Sequence, residues 1–285
     1  MSKVLVIGAR GTVGSEIVNV LSAQGHTVYK ATHSTPSDPQ QVQLNVHTGE
    51  GIDTAFAQVE RAFLMAPPGD PQQDKLLKPL IAAAQKHGLQ KVVLMTAMGA
   101  DAVESSPMRQ AEIALEQSGL NYAIIRPNWF MQNFHTFWLA GILQAQRITL
   151  PTGDAAGSFI DARDIAAVAA TLLTSDHDAH NHQAFNLTGA EALNHDEVAA
   201  LLSEVAGYPI RYEDTAPEQV KPALLQAGLP EDYSDFLLMI LDAFKQGYSA
   251  PITSAVKDIT GKEPIRFAQY AQDFAAQWQR ETAQV

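Results

Sequence analysis

Cysteine is absent from the 285 residues of the sequence. Without a thiol the chain cannot form disulfide bonds, bind zinc through sulfur or use a cysteine nucleophile, and this composition suits a reducing compartment. Any redox chemistry therefore needs a bound cofactor. We expect a cytoplasmic protein.

Basic residues are scarce, with 19 lysines and arginines against 31 aspartates and glutamates and a formal net charge of -12. A chain with this balance has no broad surface to neutralise phosphates, so the sequence predicts no nucleic-acid partner. Its apolar runs stay below the roughly 20 residues that cross a bilayer. Because so few residues precede the first strand-like run, we also expect no signal peptide and no membrane association.

Several catalytic and metal-binding patterns are missing as well. No tyrosine is followed four residues later by a lysine, which excludes the Tyr-x-x-x-Lys pair that many reductases use for proton transfer. The cluster of His177, His180 and His182 lacks helical i, i+4 spacing and neighbouring thiolates, so a solvated loop is the better interpretation and no metal is predicted. The sequence leaves any catalytic residue unknown.

Strand-length apolar runs alternate with segments of helical period, as is typical of parallel βαβ units. The predicted strands are Lys3–Ile7, Thr27–Thr32, Arg61–Met65, Lys91–Thr96 and Asn121–Ile125. The predicted helices are Val13–Ala23, Gln72–His87 with a bend at Pro79, Pro107–Gln117, Phe134–Gln144, Asp164–Thr174, Asp196–Ala206 and Phe267–Trp278. The pattern predicts an α/β fold, a Rossmann-type doubly wound parallel sheet with a smaller, mainly helical C-terminal lobe.

The alternation of strand and helix patterns becomes less regular in the second half of the chain, and this change sets the predicted domain boundaries. Residues 1–150 form the nucleotide-binding domain, and its sheet is completed by segments near 158–161 and 184–188. Residues 190–285 form most of the smaller lobe, which we expect to contact substrate.

A glycine-rich turn is the strongest local signal. It follows the strand pattern of Val4–Ile7 and comprises Gly8, Ala9, Arg10, Gly11, Thr12, Val13 and Gly14. Gly8 can take the tight turn, Gly11 can bring backbone N–H groups against a pyrophosphate, and Gly14 can let a helix lie close to the sheet. Arg10 stands where the dinucleotide fingerprint has its second glycine, so the pattern is a G-x-x-G-x-x-G variant. A turn that only packs a helix is the alternative; the strand placement favours a cofactor.

The second predicted strand bears on which dinucleotide binds. An acidic residue near its end normally contacts the ribose hydroxyls of NAD, but no acid occurs from Thr27 to Thr35. His33 and Ser34, together with Lys30, offer donors or positive charge to a 2′-phosphate. The sequence thus favours NADP(H) over NAD(H), although these residues are also ordinary at a strand exit.

Two further features follow predicted strands. Thr96 ends one of them, where α/β sheets place ligand-contacting groups, although it can equally cap the next turn. After Arg126 and Pro127 comes an aromatic segment in which Trp129, Met131 and Asn133 suit a flat apolar ligand with a few polar anchors. Core packing is the alternative for this segment, because Phe130 and Phe134 have helical i, i+4 spacing.

These pieces together resemble the NmrA-like branch of the atypical short-chain dehydrogenases, a group that includes NAD(P)H azoreductase-like proteins, triphenylmethane reductases and quinone oxidoreductases. The similarity covers nearly the whole chain. It is carried by Gly8–Gly14, Ser118–Tyr122, Arg126–Asn133, Ser158–Ala166 and Asn186–Gly189.

The resemblance implies a Rossmann fold, NADP(H) as the usual cofactor, and a ligand cleft between the nucleotide domain and the C-terminal lobe. Three residues depart from the pattern of the family. Arg10 replaces a threonine, and His33 stands where an arginine often meets the 2′-phosphate. Glu104 lies near the sequence position at which related benzylic ether reductases have a catalytic lysine. That last activity is therefore not expected.

Two functions remain open at this point. The first is an NADPH-dependent reductase that delivers hydride to a small apolar or aromatic electrophile such as a quinone, an azo compound or a dye. The second is a non-catalytic sensor of NADP(H) that acts through a protein partner, as some relatives are known to do. The sequence favours the enzyme.

Overall fold

The computed structural model describes residues 1–175 and 178–280. Its strands are β1 (Lys3–Val6), β2 (Thr27–Thr32), β3 (Gln41–Gln43), β4 (Arg61–Leu64), β5 (Lys91–Met95), β6 (Tyr122–Pro127), β7 (Arg147–Leu150), β8 (Ala156–Gly157), β9 (Gln183–Leu187), β10 (Leu193–Asn194) and β11 (Arg211–Asp214). Its α-helices are α1 (Thr12–Ala23), α2 (Ile52–Phe56), α3 (Gln73–Lys86), α4 (Pro107–Glu116), α5 (Ala162–Thr174), α6 (His195–Ala206), α7 (Pro217–Gln226), α8 (Glu231–Lys245), α9 (Ala255–Thr260) and α10 (Phe267–Asp273). None of the helices in these residues is long and apolar enough to span a membrane.

Seven of the strands form one parallel sheet in the order β3-β2-β1-β4-β5-β6-β9. The chain first winds outward from β1 to β3, then crosses back and winds the other way from β4. This reversal puts a topological switch point between β1 and β4, where doubly wound sheets bind their ligands. The predicted fold class is confirmed.

The central strands are apolar because both faces of a parallel sheet are covered by helices. Val4, Leu5 and Val6 of β1 have no exposed surface, and neither do Val92, Val93 and Leu94 of β5. Burying each such side chain contributes about 1.5–3 kcal/mol. These runs explain why the strand positions could be predicted closely from the sequence.

The chain divides into two compact units. The first consists of Met1–Pro127, Ala162–Leu187 and Ala255–Lys262, and it contains the seven-stranded sheet. The second consists of Asn128–Asp161, Thr188–Ser254 and the described part of Glu263–Val285. It contains the antiparallel pair β8–β10, the parallel pair β7–β11 and α6, α7, α8 and α10. The main segment of the first unit therefore ends at Pro127 and not at the predicted residue 150, and two later segments of the chain also belong to this unit.

One predicted strand does not join the main sheet. Residues 184–188 fall largely in β9, as expected, but residues 158–161 belong to the second unit. Ile160 N donates to Trp129 O at 2.9 Å, and Ser158 N donates to Ser249 O at 2.9 Å. The backbone groups of this segment are thus paired with loops of its own unit, which corrects the sequence prediction.

The predicted helix Phe134–Gln144 is also wrong. A 3-10 turn covers Met131–His135 and a π turn covers Gly141–Ala145, with irregular backbone between them. Phe134 and Trp138 still meet, their ring centroids 4.6 Å apart. These two rings, four residues apart within the predicted helix, are therefore in contact although the backbone between them is not helical. By contrast, α3 runs without interruption through Pro79.

Candidate functional site

The turn between β1 and α1 has the backbone that its glycines require. Gly8 has φ +72°, a left-handed conformation that glycine adopts at little cost. Gly11 N then donates to Gly8 O at 2.8 Å, which closes the turn. Helix α1 begins directly after this turn, and Gly11 is its N-cap residue.

Gly14 is buried in the first turn of α1, against this same loop. A Cβ atom at Gly14 would lie 2.1 Å from Gly8 O and 3.0 Å from Ala9 Cα. These backbone atoms cannot move aside without distorting the turn. A Cβ atom at Gly11 would lie 3.3 Å from Gly8 O, a tight contact but one that a small shift relieves. Gly14 therefore brings the helix against the turn itself, and Gly11 keeps the mouth of the turn free of side-chain bulk.

The N-terminus of α1 carries unsatisfied donors. The first backbone N–H groups of an α-helix have no acceptor within the helix, and no described side chain caps them here. The first turn of α1 contains no acidic residue, and Arg10 and Thr12 are exposed beside it. Because the helix dipole also favours negative charge at this end, the residues present fit a pyrophosphate group.

The exit of β2 lies next to this turn, since Val6 of β1 is in register with Lys30. His33 and Ser34 are exposed there, and Ser34 N donates to Thr32 Oγ1 at 3.2 Å. Lys30 Nζ is paired with Asp38 Oδ2 at 3.2 Å. Asp38 lies beyond the acid-free stretch and was missed by the sequence analysis, and its carboxylate offsets the charge of Lys30. His33 and Ser34 thus remain the candidate donors at this exit.

A buried ion-pair network lies at the ends of β5 and β6. Thr96 Oγ1 donates to Glu112 Oε1 at 2.7 Å, and Arg126 donates to both oxygens of Glu112 at 2.9 and 2.7 Å. Asp101 pairs with Arg126 at 2.5 Å on its other side. Burial alone would lower the pKa of Arg126, but the hydrogen bonds and charge of Glu112 and Asp101 outweigh it and raise that pKa.

The position of Thr96 after a predicted strand made it a candidate, whereas Glu112 was not predicted. Glu112 lies between Ala111 and Ile113 on α4 and has no exposed surface. The ion pair of Glu112 and Arg126 could have been indicated by two features of the sequence. Glu112 is an acid on the apolar face of a helix, and Arg126 is a base in an apolar strand. Such groups are buried only when they have partners.

The residues predicted to line a pocket have different surroundings in the second unit. Trp129 is half-buried, with its ring 6.3 Å from that of Trp138 in a stacked arrangement and 5.7 Å from Phe244 edge-on. Asn133 is half-buried in the 3-10 turn. Met131 is only 1% exposed and lies in the apolar core of this unit. Trp129 and Asn133 therefore offer surface to a ligand, whereas Met131 is packed in the core.

Hydrogen bonds of Asn128, the residue before Trp129, hold a second segment, residues 248–252. Asn128 Nδ2 donates to Ser158 Oγ at 2.7 Å and to Ser249 O at 2.8 Å. Tyr248 and Ile252, which flank this anchor, are 68% and 53% exposed. No sequence pattern indicated them, because the anchor joins residues 121 positions apart.

Known proteins resemble the chain along nearly its whole length. The model of the NmrA-like family matches residues 1–263. The NAD(P)H azoreductase of Xenophilus azovorans is 32% identical over 96% of this chain and 98% of that protein. The Citrobacter sp. triphenylmethane reductase complexed with NADP(H) has a TM-score of 0.81 at 19% identity, over 95% of this chain and 99% of that one. NmrA, a negative transcriptional regulator solved with NADP, has a TM-score of 0.78 at 18% identity, over 96% and 95%. This chain belongs to the NmrA-like family.

Proposed function

We propose that the chain is an NADPH-dependent reductase that transfers a hydride to a small conjugated electrophile such as a quinone, an azo compound or a cationic dye. The turn from Gly8 to Gly14 carries the proposal, because its conformation and its uncapped helix N-terminus suit a dinucleotide pyrophosphate. The 32% identity to an NAD(P)H azoreductase along the whole chain supports reductase chemistry.

The first unit supplies the groups that hold the cofactor in this proposal. Backbone N–H groups of Thr12 and Val13, at the start of α1, bind the pyrophosphate. Arg10 is exposed beside them and forms no ion pair with any described residue. His33 and Ser34 donate to the 2′-phosphate at the exit of β2, which distinguishes NADPH from NADH.

Bound NADPH supplies the hydride that reduces the acceptor. No Tyr-x-x-x-Lys pair is present, so the chain has no obvious group for protonating a simple ketone. A quinone or an azo compound spreads the incoming charge through its π-system and can then take its proton from water, whereas a cationic dye is neutralised by the hydride and needs no proton. Catalysis can then rest on proximity and orientation, which restricts the proposed substrates to conjugated electrophiles.

Side chains of the segment that follows β6 are the proposed contacts of the acceptor. Trp129 offers a partly exposed ring face for stacking on a flat molecule, and Asn133 offers a carboxamide that can orient a polar substituent. Tyr248 and Ile252 add exposed apolar surface on the segment anchored by Asn128. An aromatic set with few polar groups favours planar apolar substrates.

The experiment is a panel of acceptors tested with purified protein. NADPH or NADH is mixed with quinones, azo dyes and cationic triarylmethane dyes, and cofactor absorbance is followed. We expect oxidation that depends on an acceptor and is faster at low NADPH than at equal NADH. A protein that binds NADPH tightly but reduces no member of the panel would instead be a sensor, and the proposed reductase would be wrong.

A further inference from the structure

Thr96 directly follows β5, and its hydroxyl proton is already used. Thr96 Oγ1 donates to Glu112 Oε1 at 2.7 Å. An ionised carboxylate only accepts hydrogen bonds, and a threonine hydroxyl has a single proton to give. What remains at Thr96 for another molecule is the pair of lone pairs on its oxygen.

Two guanidinium groups donate hydrogen bonds to the carboxylate of Glu112. Arg126 donates through Nε to Oε1 at 2.9 Å and through Nη2 to Oε2 at 2.7 Å. Arg109 Nη1 donates to Oε2 at 3.0 Å. With the hydroxyl of Thr96, each carboxylate oxygen accepts two hydrogen bonds, so Glu112 has no unused acceptor.

The network is also held in place. Glu112 is fully buried and Arg126 is 7% exposed, so water does not compete for these hydrogen bonds. Thr96 N donates to Ile125 O at 3.0 Å, which fixes its backbone to β6. The hydroxyl of Thr96 therefore has a set direction before any ligand arrives.

The strand order indicates which part of a dinucleotide reaches Thr96. If the pyrophosphate lies at the turn after β1 and the 2′-phosphate at the exit of β2, the nicotinamide half extends in the opposite direction, across β4 toward β5. β5 lies two strands from β1, about 10 Å away at the usual spacing. This step rests on the proposed function.

We propose that Glu112 is a positioning residue that makes the hydroxyl of Thr96 a hydrogen-bond acceptor for the carboxamide N–H2 of the nicotinamide. A free hydroxyl would accept from that amino group or donate to the amide oxygen. Glu112 removes the second choice. The carboxamide of the cofactor is then bound in one orientation only.

The test compares NADP⁺ with its 3-acetylpyridine analogue, in which a methyl group replaces the amino group of the carboxamide. Calorimetric dissociation constants are measured for the wild type, Thr96→Val and Thr96→Ser. The wild type should bind NADP⁺ about threefold to tenfold more tightly than the analogue, the usual effect of one neutral hydrogen bond. Thr96→Ser should keep this preference and Thr96→Val should lose it. An unchanged preference in Thr96→Val overturns the inference.

A double-mutant cycle tests whether Glu112 acts through Thr96. Glu112→Gln replaces an acceptor oxygen with a donor, so it should abolish the preference for NADP⁺ in the Thr96 background and change nothing further in Thr96→Val. If it weakens both ligands equally in both backgrounds, Glu112 only supports the fold and the inference is wrong.

Thermal unfolding shows whether each variant is folded. If Glu112→Gln does not fold, Glu112→Asp keeps the charge, withdraws the carboxylate by one methylene, and should lose the same preference. Failure of the wild type to bind NADP⁺ or NADPH would overturn the proposed function itself. Tight binding with no discrimination by Thr96 overturns only this inference.

Discussion

At the scale of single residues, the glycine turn makes the most distinct demands on the sequence. Gly11 and Gly14 look alike in the motif, but their surroundings differ, because a Cβ at Gly14 would meet backbone at 2.1 Å and one at Gly11 would meet it at 3.3 Å. The two glycines therefore have different tasks. Gly14 permits the close packing of α1 on the turn, and we propose that Gly11 permits the approach of a ligand.

We expect Gly11→Val and Gly14→Val to fail in different ways. Gly11→Val should lose NADPH affinity with a modest loss of stability, because its side chain fills the mouth of the turn. Gly14→Val should lose both, since forced bulk in close packing costs typically about 1–3 kcal/mol. Calorimetric titration and chemical denaturation of the two variants check this, with Gly11→Ala as an intermediate control. Normal NADPH binding by Gly11→Val would show that the turn does not hold the cofactor.

His33 provides a test of cofactor choice. His33→Asp should weaken NADPH binding about tenfold and leave NADH nearly unchanged, because a carboxylate would repel the 2′-phosphate. Gln24→Asp is the matched control, since it adds the same charge at the far end of α1, about 18 Å along a helix of this length. Equal losses for both cofactors in His33→Asp would mean that His33 does not contact the 2′-phosphate.

Residue identity alone could not indicate which polar side chains are already paired. Lys30 was a candidate donor until the structure placed Asp38 against it. Thr96 was identified by its place after a strand, but Glu112 was not, because its partner Arg126 lies 14 residues later. Pairings across loops and between elements depend on the fold and leave no local spacing to detect.

At the scale of elements, α6 begins with a buried histidine. His195 is 1% exposed, and its Nδ1 lies 3.0 Å from Thr152 Oγ1. The described residues provide no hydrogen-bond partner for its Nε2. Burial lowers the pKa of His195 to about 4 from its usual 6.5. The folded state therefore contains a neutral imidazole.

This burial makes stability dependent on pH. Between pH 6.5 and about 4 the unfolded chain binds a proton at His195 that the folded chain does not. The free energy of unfolding should thus fall as the pH falls through this window, by up to about 3 kcal/mol from this group. Denaturation of the wild type and His195→Gln across the window measures the contribution. The variant should show a shallower dependence, and identical slopes would contradict the assignment.

The segment after β6 shows what apolar periodicity in the sequence can and cannot predict. Its aromatic spacing predicted a helix that does not form, yet Phe134 and Trp138 make the contact that a helix would have given. Similarly, residues 158–161 have a strand-like pattern but pair with loops. Periodicity reports which side chains are buried, whereas the partner of the backbone depends on residues far away in sequence.

Trp129 tests whether this segment contacts the acceptor. Trp129→Ala should lower kcat/KM for the acceptor about tenfold, near the upper value of an aromatic stacking contact, with unchanged NADPH affinity. Phe244→Leu is the control, because Phe244 packs against Trp129 but is 1% exposed. That variant should mainly lower the melting temperature. If Trp129→Ala lowers the melting temperature by many degrees while the folded enzyme reduces acceptor normally, Trp129 is a core residue.

At the scale of the whole molecule, the fold class and the tight turn at Gly8 could be predicted because local patterns determine both. The strand-length runs of β1, β2, β4, β5 and β6 indicate a parallel sheet, and the glycines follow the first of them, whereas the short polar strand β3 was not predicted. The division into two units was harder to predict. Ala162–Leu187 and Ala255–Lys262 return to the first unit after long excursions, and no composition change marks these returns.

The proposed reductase requires that NADPH bound at the glycine turn reduces an acceptor. The most direct measurement is NADPH oxidation with the best acceptor of the panel, made on the wild type and Gly11→Val at equal protein concentration, together with NADPH affinity. We predict that acceptor-dependent oxidation and NADPH affinity fall together in Gly11→Val. The proposed function would be contradicted by wild-type protein that binds NADPH but oxidises it with no acceptor of the panel, or by a Gly11→Val variant that oxidises NADPH as fast as the wild type.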